Sequence, residues 1–140
     1  LILNDINENP VKDFHNYKYR NEVQIIQPGS IQLRATLIAA AYAGIYIPEF
    51  LSIENFGLNY MKVNVPFLTI NDEQLLSIYK DAAIYTEIDE KKIADNLMLL
   101  YKDENYRNIH IQKGEELAGK YNFEESSKRL WETILQFSGV

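Results

Sequence analysis

Cysteine is absent from this chain of 140 residues, which excludes a disulfide framework, a thiol nucleophile and a thiolate metal site. Intracellular residence is the simplest expectation. Histidine occurs only twice, at His15 and His110, and neither stands beside a second His, Asp or Glu in a metal-binding spacing. No metal site is therefore expected, and no zinc or non-haem iron chemistry. Basic residues are outnumbered, 14 Lys and Arg against 20 Asp and Glu, for a net charge of −6. The imbalance sits in the second half: residues 71–140 carry 9 basic and 14 acidic side chains, residues 1–70 carry 5 and 6. With no basic cluster to neutralise phosphates, nucleic acid is not an expected partner. Long apolar runs are lacking too. The charge-free run from Ala35 to Pro48 contains Gly44 and falls well short of the roughly 20 apolar residues that cross a bilayer, so no transmembrane segment is expected. The opening Leu1-Ile2-Leu3-Asn4-Asp5 lacks the basic region of a signal peptide, and a chain without an initial Met is expected to be a fragment.

What is present suits one soluble globular domain over residues 1–140: 46% of residues are hydrophobic and 24% charged. A domain of this size buries about two-thirds of its unfolded surface and needs no covalent staple. Short apolar runs alternate with longer periodic segments, which predicts an α/β domain with a mainly parallel sheet flanked by helices. Strands are predicted at Leu1–Leu3, Val23–Ile26, Ile45–Ile47 and Pro66–Ile70, with a weaker one at Ala83–Tyr85. Ser30 is a candidate cap for a helix that runs through Leu37, Ile38 and Ala41 to a stop at Gly44, which would make a compact βαβ unit with the strands on either side. Asp89 is placed to cap a helix burying Ile93, Leu97, Leu100 and Tyr101. Two C-terminal helices follow, Glu104 to Lys120 and Phe123 to Phe137, hinged at Tyr121-Asn122. Asn122 and Glu125 have the spacing of a capping box, and Leu130, Trp131, Ile134 and Phe137 form the expected inward face.

Several motifs carry less than they promise. Gly114 to Tyr121 comes within one residue of a phosphate-binding P-loop, but it lies between helical segments and sets Glu115 and Glu116 where anions would dock. His110, between Ile109 and Ile111, reads as a half-buried or surface histidine rather than a base. The ten tyrosines are mostly scattered singly and read as amphipathic rim residues. The loop after Ile47 is different. It carries Glu54-Asn55-Phe56-Gly57-Leu58 into a short helix through Tyr60 and Met61, and ligands of open parallel sheets bind beyond the carboxyl ends of the strands. Gly57 would let backbone approach a ligand, the helix start would offer N–H groups to a phosphate, and Glu54 would accept from sugar hydroxyls. The alternative is that Glu54 is a solvated carboxylate and Phe56 a plug for the core.

Glu54 to Leu58 resembles the Glu-Gly-Phe-Gly-Leu motif in the donor-binding half of the family-four (group 1) glycosyltransferases. In order along the chain, Val65-Pro66 resembles that family's Gly-Val-Pro, Thr69-Ile70-Asn71 its Thr-Ser-Asn, and Asp81-Ala82-Ala83 its Asp-Ala-Ala. Ile93-Ala94 with Leu99-Leu100 resembles the helix that follows, and Lys120 to Phe123 the start of its last helices. The resemblance implies a Rossmann-like domain, one half of a glycosyltransferase-B fold, with two C-terminal helices. It implies retaining transfer of a hexose from a nucleoside diphosphate sugar to a glycan or lipid acceptor held by a missing N-terminal domain. It implies Glu54 as the catalytic contact to the donor sugar, and Asn55, Phe56, Gly57 and Leu58 as donor-binding residues. No cofactor or metal beyond the sugar nucleotide is implied, and the location is cytoplasmic with peripheral contact at the inner membrane face. The departures bear on activity. Lys62 stands where a second Glu should hold the ribose, the chain from Gly57 to Pro66 is about three residues short, Asn55 replaces a Gly, and the Arg and Lys of the diphosphate clamp are missing. The isolated chain is thus expected to be incompetent for turnover, and the rival reading is a degenerate, non-catalytic interaction module.

Overall fold

Side-chain oxygens of Ser30, Asp72, Asp89, Asp103 and Asn122 start five helices of this protein, and short apolar runs make its main strands. The computed structural model describes residues 2–3, 18–26, 29–48 and 56–138. The chain divides into two compact units, Leu1–Leu37 and Ile38–Val140.

In the first unit, β1 (Ile2–Leu3) pairs in parallel with β2 (Gln24–Ile25), Ile2 beside Gln24 and Leu3 beside Ile25. Helix α1 (Ile31–Ala39) begins where the sequence predicts, with Ser30 Oγ accepting the Leu33 N–H at 3.2 Å, and runs across the boundary between the units. It stops at Ala39, short of the expected Gly44. The strands on either side of α1 belong to different sheets, so the predicted βαβ unit does not form by direct pairing.

The second unit is built on a parallel three-stranded sheet of order β3-β4-β5, formed by Gly44–Tyr46, Phe67–Ile70 and Ile84–Thr86. Register runs Gly44 to Phe67 and Tyr46 to Thr69 on one side of β4, and Leu68 to Ile84 and Ile70 to Thr86 on the other. Strand β4 is central, and its side chains alternate between two covered faces. Phe67 packs with Leu58, Met61, Leu75, Tyr79 and Leu117; Leu68 packs with Ile84 and Leu100 on the opposite face. Both are completely buried. This is an α/β architecture, a parallel sheet flanked by helices.

The helices of this unit are α2 (Phe56–Met61), α3 (Glu73–Tyr79), α4 (Glu90–Lys102), α5 (Glu104–Gly119) and α6 (Phe123–Ser138). Carboxylates cap three of them: Asp72 accepts from Gln74 and Leu75, Asp89 from Lys92 at 2.9 Å, and Asp103 from Tyr106 at 2.9 Å. Helix α3 lies where hydrophobic periodicity assigns no element; seven residues are too few to display one. Asn122 caps α6 by accepting the Glu125 N–H at 2.7 Å, but the capping box is only half made, because Glu125 turns its carboxylate to Arg129 Nε at 3.0 Å. Gly44 opens β3 rather than ending a helix, and its bareness admits the Tyr60 ring, on which any Cβ there would land. Two predicted inward faces are corrected. On α4 only Leu100 is buried, and Tyr101 is exposed with its ring edge-on to Tyr42 at 6.5 Å. On α6 the expected inward residues Leu130, Trp131, Ile134 and Phe137 are all exposed.

Candidate functional site

In a parallel sheet all carboxyl ends share one edge, and here that edge is formed where β3 ends at Tyr46, β4 at Ile70 and β5 at Thr86. Hydrogen bonds tie it together. Thr69 Oγ1 donates to the Tyr46 carbonyl at 2.8 Å, and the Asn71 N–H donates to the Thr86 carbonyl at 2.9 Å. Beyond β4 and β5 the edge opens into a cleft of about 310 Å³ bounded by Asn71, Thr86, Glu87, Lys92 and Asn96. Lys92 forms an ion pair with Glu87 there, and Asn96 Nδ2 donates to the Lys92 carbonyl at 2.9 Å. Its polar groups come from the first residues after each strand and from the first turns of α4. Sequence reasoning passed over them, and the available signal was only their position immediately after predicted strands.

The predicted donor loop meets this edge through Phe56, whose ring lies 5.1 Å from that of Tyr46 at the end of β3. Glu54 and Asn55 lie outside the described residues. Gly57 and Leu58 turn inward. The Gly57 N–H donates to the Tyr79 hydroxyl at 3.1 Å, and a Cβ on Gly57 would come within 2.6 Å of Phe67 and 2.7 Å of Tyr79. Its lack of a side chain is accounted for by packing of α2 on β4 and α3. Leu58 is in the core. Burial raises the Tyr79 pKa and outweighs the lowering by the Gly57 hydrogen bond, so the phenol stays protonated. Tyr79 is therefore a core residue with a satisfied hydroxyl, unlike the rim role expected of the tyrosines.

The short connection from α2 to β4 has a definite geometry. The Val65 N–H reaches back to the Tyr60 carbonyl at 3.0 Å and the Asn64 N–H to the Met61 carbonyl at 3.2 Å, the two bonds of a Schellman cap. Asn64 supplies the left-handed residue, at φ 61°. The chain thus passes from a six-residue helix into β4 without a further helical turn. Lys62, which stands where the resemblance calls for a ribose-binding acid, is exposed beside a second cavity of about 420 Å³ shared with Glu115, Tyr121 and Phe123.

Of the remaining candidates, His110 is half-buried against Tyr106, ring centroids 4.7 Å apart, with Nδ1 3.3 Å from the Ala82 carbonyl. Burial holds its pKa below the usual 6.5, so the neutral ring donates from Nδ1 to that carbonyl. Asp81, in the same turn, is paired with Lys113 Nζ at 2.9 Å, which lowers the carboxyl pKa. Tyr85, on the cleft side of β5, donates to the Lys80 carbonyl at 2.7 Å and is pushed up to about 12 by burial. It serves as a hydrogen-bond donor and is no base at neutral pH. Gly114 and Gly119, the glycines of the P-loop-like stretch, both lie within α5, and Gly114 lets α5 approach Met61 of α2. Among the described residues no three His, Asp or Glu side chains converge as a metal-holding group, and no helix is long and apolar enough to cross a membrane. Compared with models of known families and with curated proteins, the chain matches none.

Proposed function

We propose that this chain is the donor-binding half of a retaining glycosyltransferase, which takes a hexose from a nucleoside diphosphate sugar and passes it to a glycan or lipid acceptor. One observation supports the reading above others: the Phe56 turn that opens α2 is seated on Tyr46, at the carboxyl end of a strand in a parallel sheet. That is the edge at which such sheets take up ligands. The other resembling segments fall in step with the elements, since Val65-Pro66 precedes β4, Thr69 to Asn71 ends it, and Asp81 to Ala83 leads into β5. In this reading Glu54 orients the donor sugar and Asn55 and Phe56 border it. Gly57 and Leu58 hold the turn in place from the core side. Acceptor binding, and turnover with it, falls to a domain outside this chain, at a peripheral membrane station in the cytoplasm if the acceptor is a lipid.

A second reading, a non-catalytic interaction module, is favoured by the Gly57 amide. That N–H is spent on Tyr79, so one fewer free donor is left for a diphosphate whose developing charge needs electrostatic stabilisation. A two-dimensional NMR titration with UDP, UDP-glucose and GDP-mannose separates the two. Donor-dependent shifts at residues 54–58 that vanish in Glu54→Ala are the expected result. Absence of shifts at millimolar ligand, or shifts unchanged in Glu54→Ala, overturns the donor assignment.

A further inference from the structure

The cleft beyond β4 and β5 is lined by side chains that the donor loop does not use. Asn71 follows β4, Glu87 follows β5, and Lys92, Asp95 and Asn96 border the cleft from one side of α4, at spacings of three and four. Some of these groups are committed to each other. Lys92 is paired with Glu87, and Asn96 Nδ2 donates to the Lys92 carbonyl at 2.9 Å. The groups left over are mainly acceptors. Among the described residues the Asp95 carboxylate, Asn96 Oδ1 and the Asn71 carboxamide have no hydrogen-bond or ion-pair partner. From this arrangement we infer that the cleft binds an uncharged sugar, whose hydroxyls donate to Asp95, Asn96 and Asn71.

Charge and size select among the ligands that such an edge can take. Glu87 and Asp95 stand against Lys92 alone, so the lining is acidic on balance and repels a phosphate. A divalent cation needs several converging oxygen ligands, and among the described residues no three His, Asp or Glu side chains converge. Hydroxyls carry no charge and donate, which answers an acceptor-rich wall. Tyr85 adds apolar surface: its hydroxyl is committed to the Lys80 carbonyl at 2.7 Å, so it offers the cleft its ring, on which the C–H face of a pyranose packs. At about 310 Å³ the cleft is at the small end of ligand sites, which suits one sugar ring rather than a whole sugar nucleotide. Strand β5 lies two strands from β3, where Phe56 is seated, so roughly 10 Å separates the cleft from the donor loop.

Two-dimensional NMR of the whole chain reads this directly, with methyl glucoside, methyl mannoside and N-acetylglucosamine as sugar probes and inorganic phosphate and Mg²⁺ as the charged ones. At least one sugar should give saturable shifts in the side-chain amides of Asn71 and Asn96 and the Glu87 N–H, with a Kd on the order of millimolar because the cleft is open to water. Residues 56–58 should stay still. Asp95→Ala, which removes an exposed side chain without a partner, should keep the fold by circular dichroism and weaken binding about tenfold, the loss of one hydrogen bond to a charged group. Asn71→Ala, at another exposed position, should weaken it in the same direction. Three results each overturn the assignment: no saturable shift with any sugar, equal shifts with phosphate or Mg²⁺, and affinity unchanged in both variants. Shifts confined to residues 56–58 also overturn it while leaving the donor loop as a sugar site, so the two readings fail separately.

Discussion

The backbone N–H of Gly57 donates to the hydroxyl of Tyr79, 22 residues away, at 3.1 Å inside the core. The bond seats the first turn of α2 on the last turn of α3. Tyr79→Phe removes the acceptor and leaves a buried N–H unpaired, which should cost about 1–3 kcal/mol in urea unfolding. Gly57→Ala, which drives a methyl group into Phe67 and Tyr79, should cost about as much by overpacking. Because the two residues share one contact, the double variant should lose less than the sum of the single losses. Full additivity would show that the bond does not couple them.

His110 makes stability depend on pH with a definite sign. Its folded pKa lies below the ordinary 6.5, chiefly through burial, so below that pH the unfolded chain binds the proton more readily than the folded one. Stability is complete above about pH 6.5 and falls as pH drops from there through the lower folded value. Groups facing the ring include the Ala82 carbonyl, Tyr106, Lys113 and Asp81. Urea midpoints between pH 7.5 and 5 should decline for the wild type and stay flatter for His110→Gln, with the contribution of His15 common to both. Parallel curves would remove His110 as the cause.

Asn64 occupies left-handed backbone in the cap that joins α2 to β4. Asn64→Gly should be neutral or stabilising within about 1 kcal/mol, because glycine adopts this conformation without a Cβ penalty. Asn64→Val should destabilise by about 1–2 kcal/mol, the cost of left-handed backbone for an L-residue. Thermal unfolding of the two variants checks the order. Equal melting temperatures would show that the cap does not constrain this residue.

What the sequence by itself determined is local. The run Pro66 to Ile70 reads as a strand because successive residues are apolar on both faces, and it forms the buried central strand. Ser30 and Asp89 are legible as caps because a cap needs only a side-chain oxygen and an N–H three residues on. The two C-terminal helices follow their predicted bounds to within a residue. The tertiary structure decided what depends on partners distant in the chain. Gly57 reads as a point of ligand approach until Phe67 and Tyr79 are seen against it, and Gly44 as a helix stop until Tyr60 is. The cleft beyond β4 and β5 draws on residues from three elements, so no stretch of sequence displays it. The apolar face of α6 is visible in the periodicity, but its exposure is not. A helical pattern records which side chains avoid water, and only packing between elements decides what covers them.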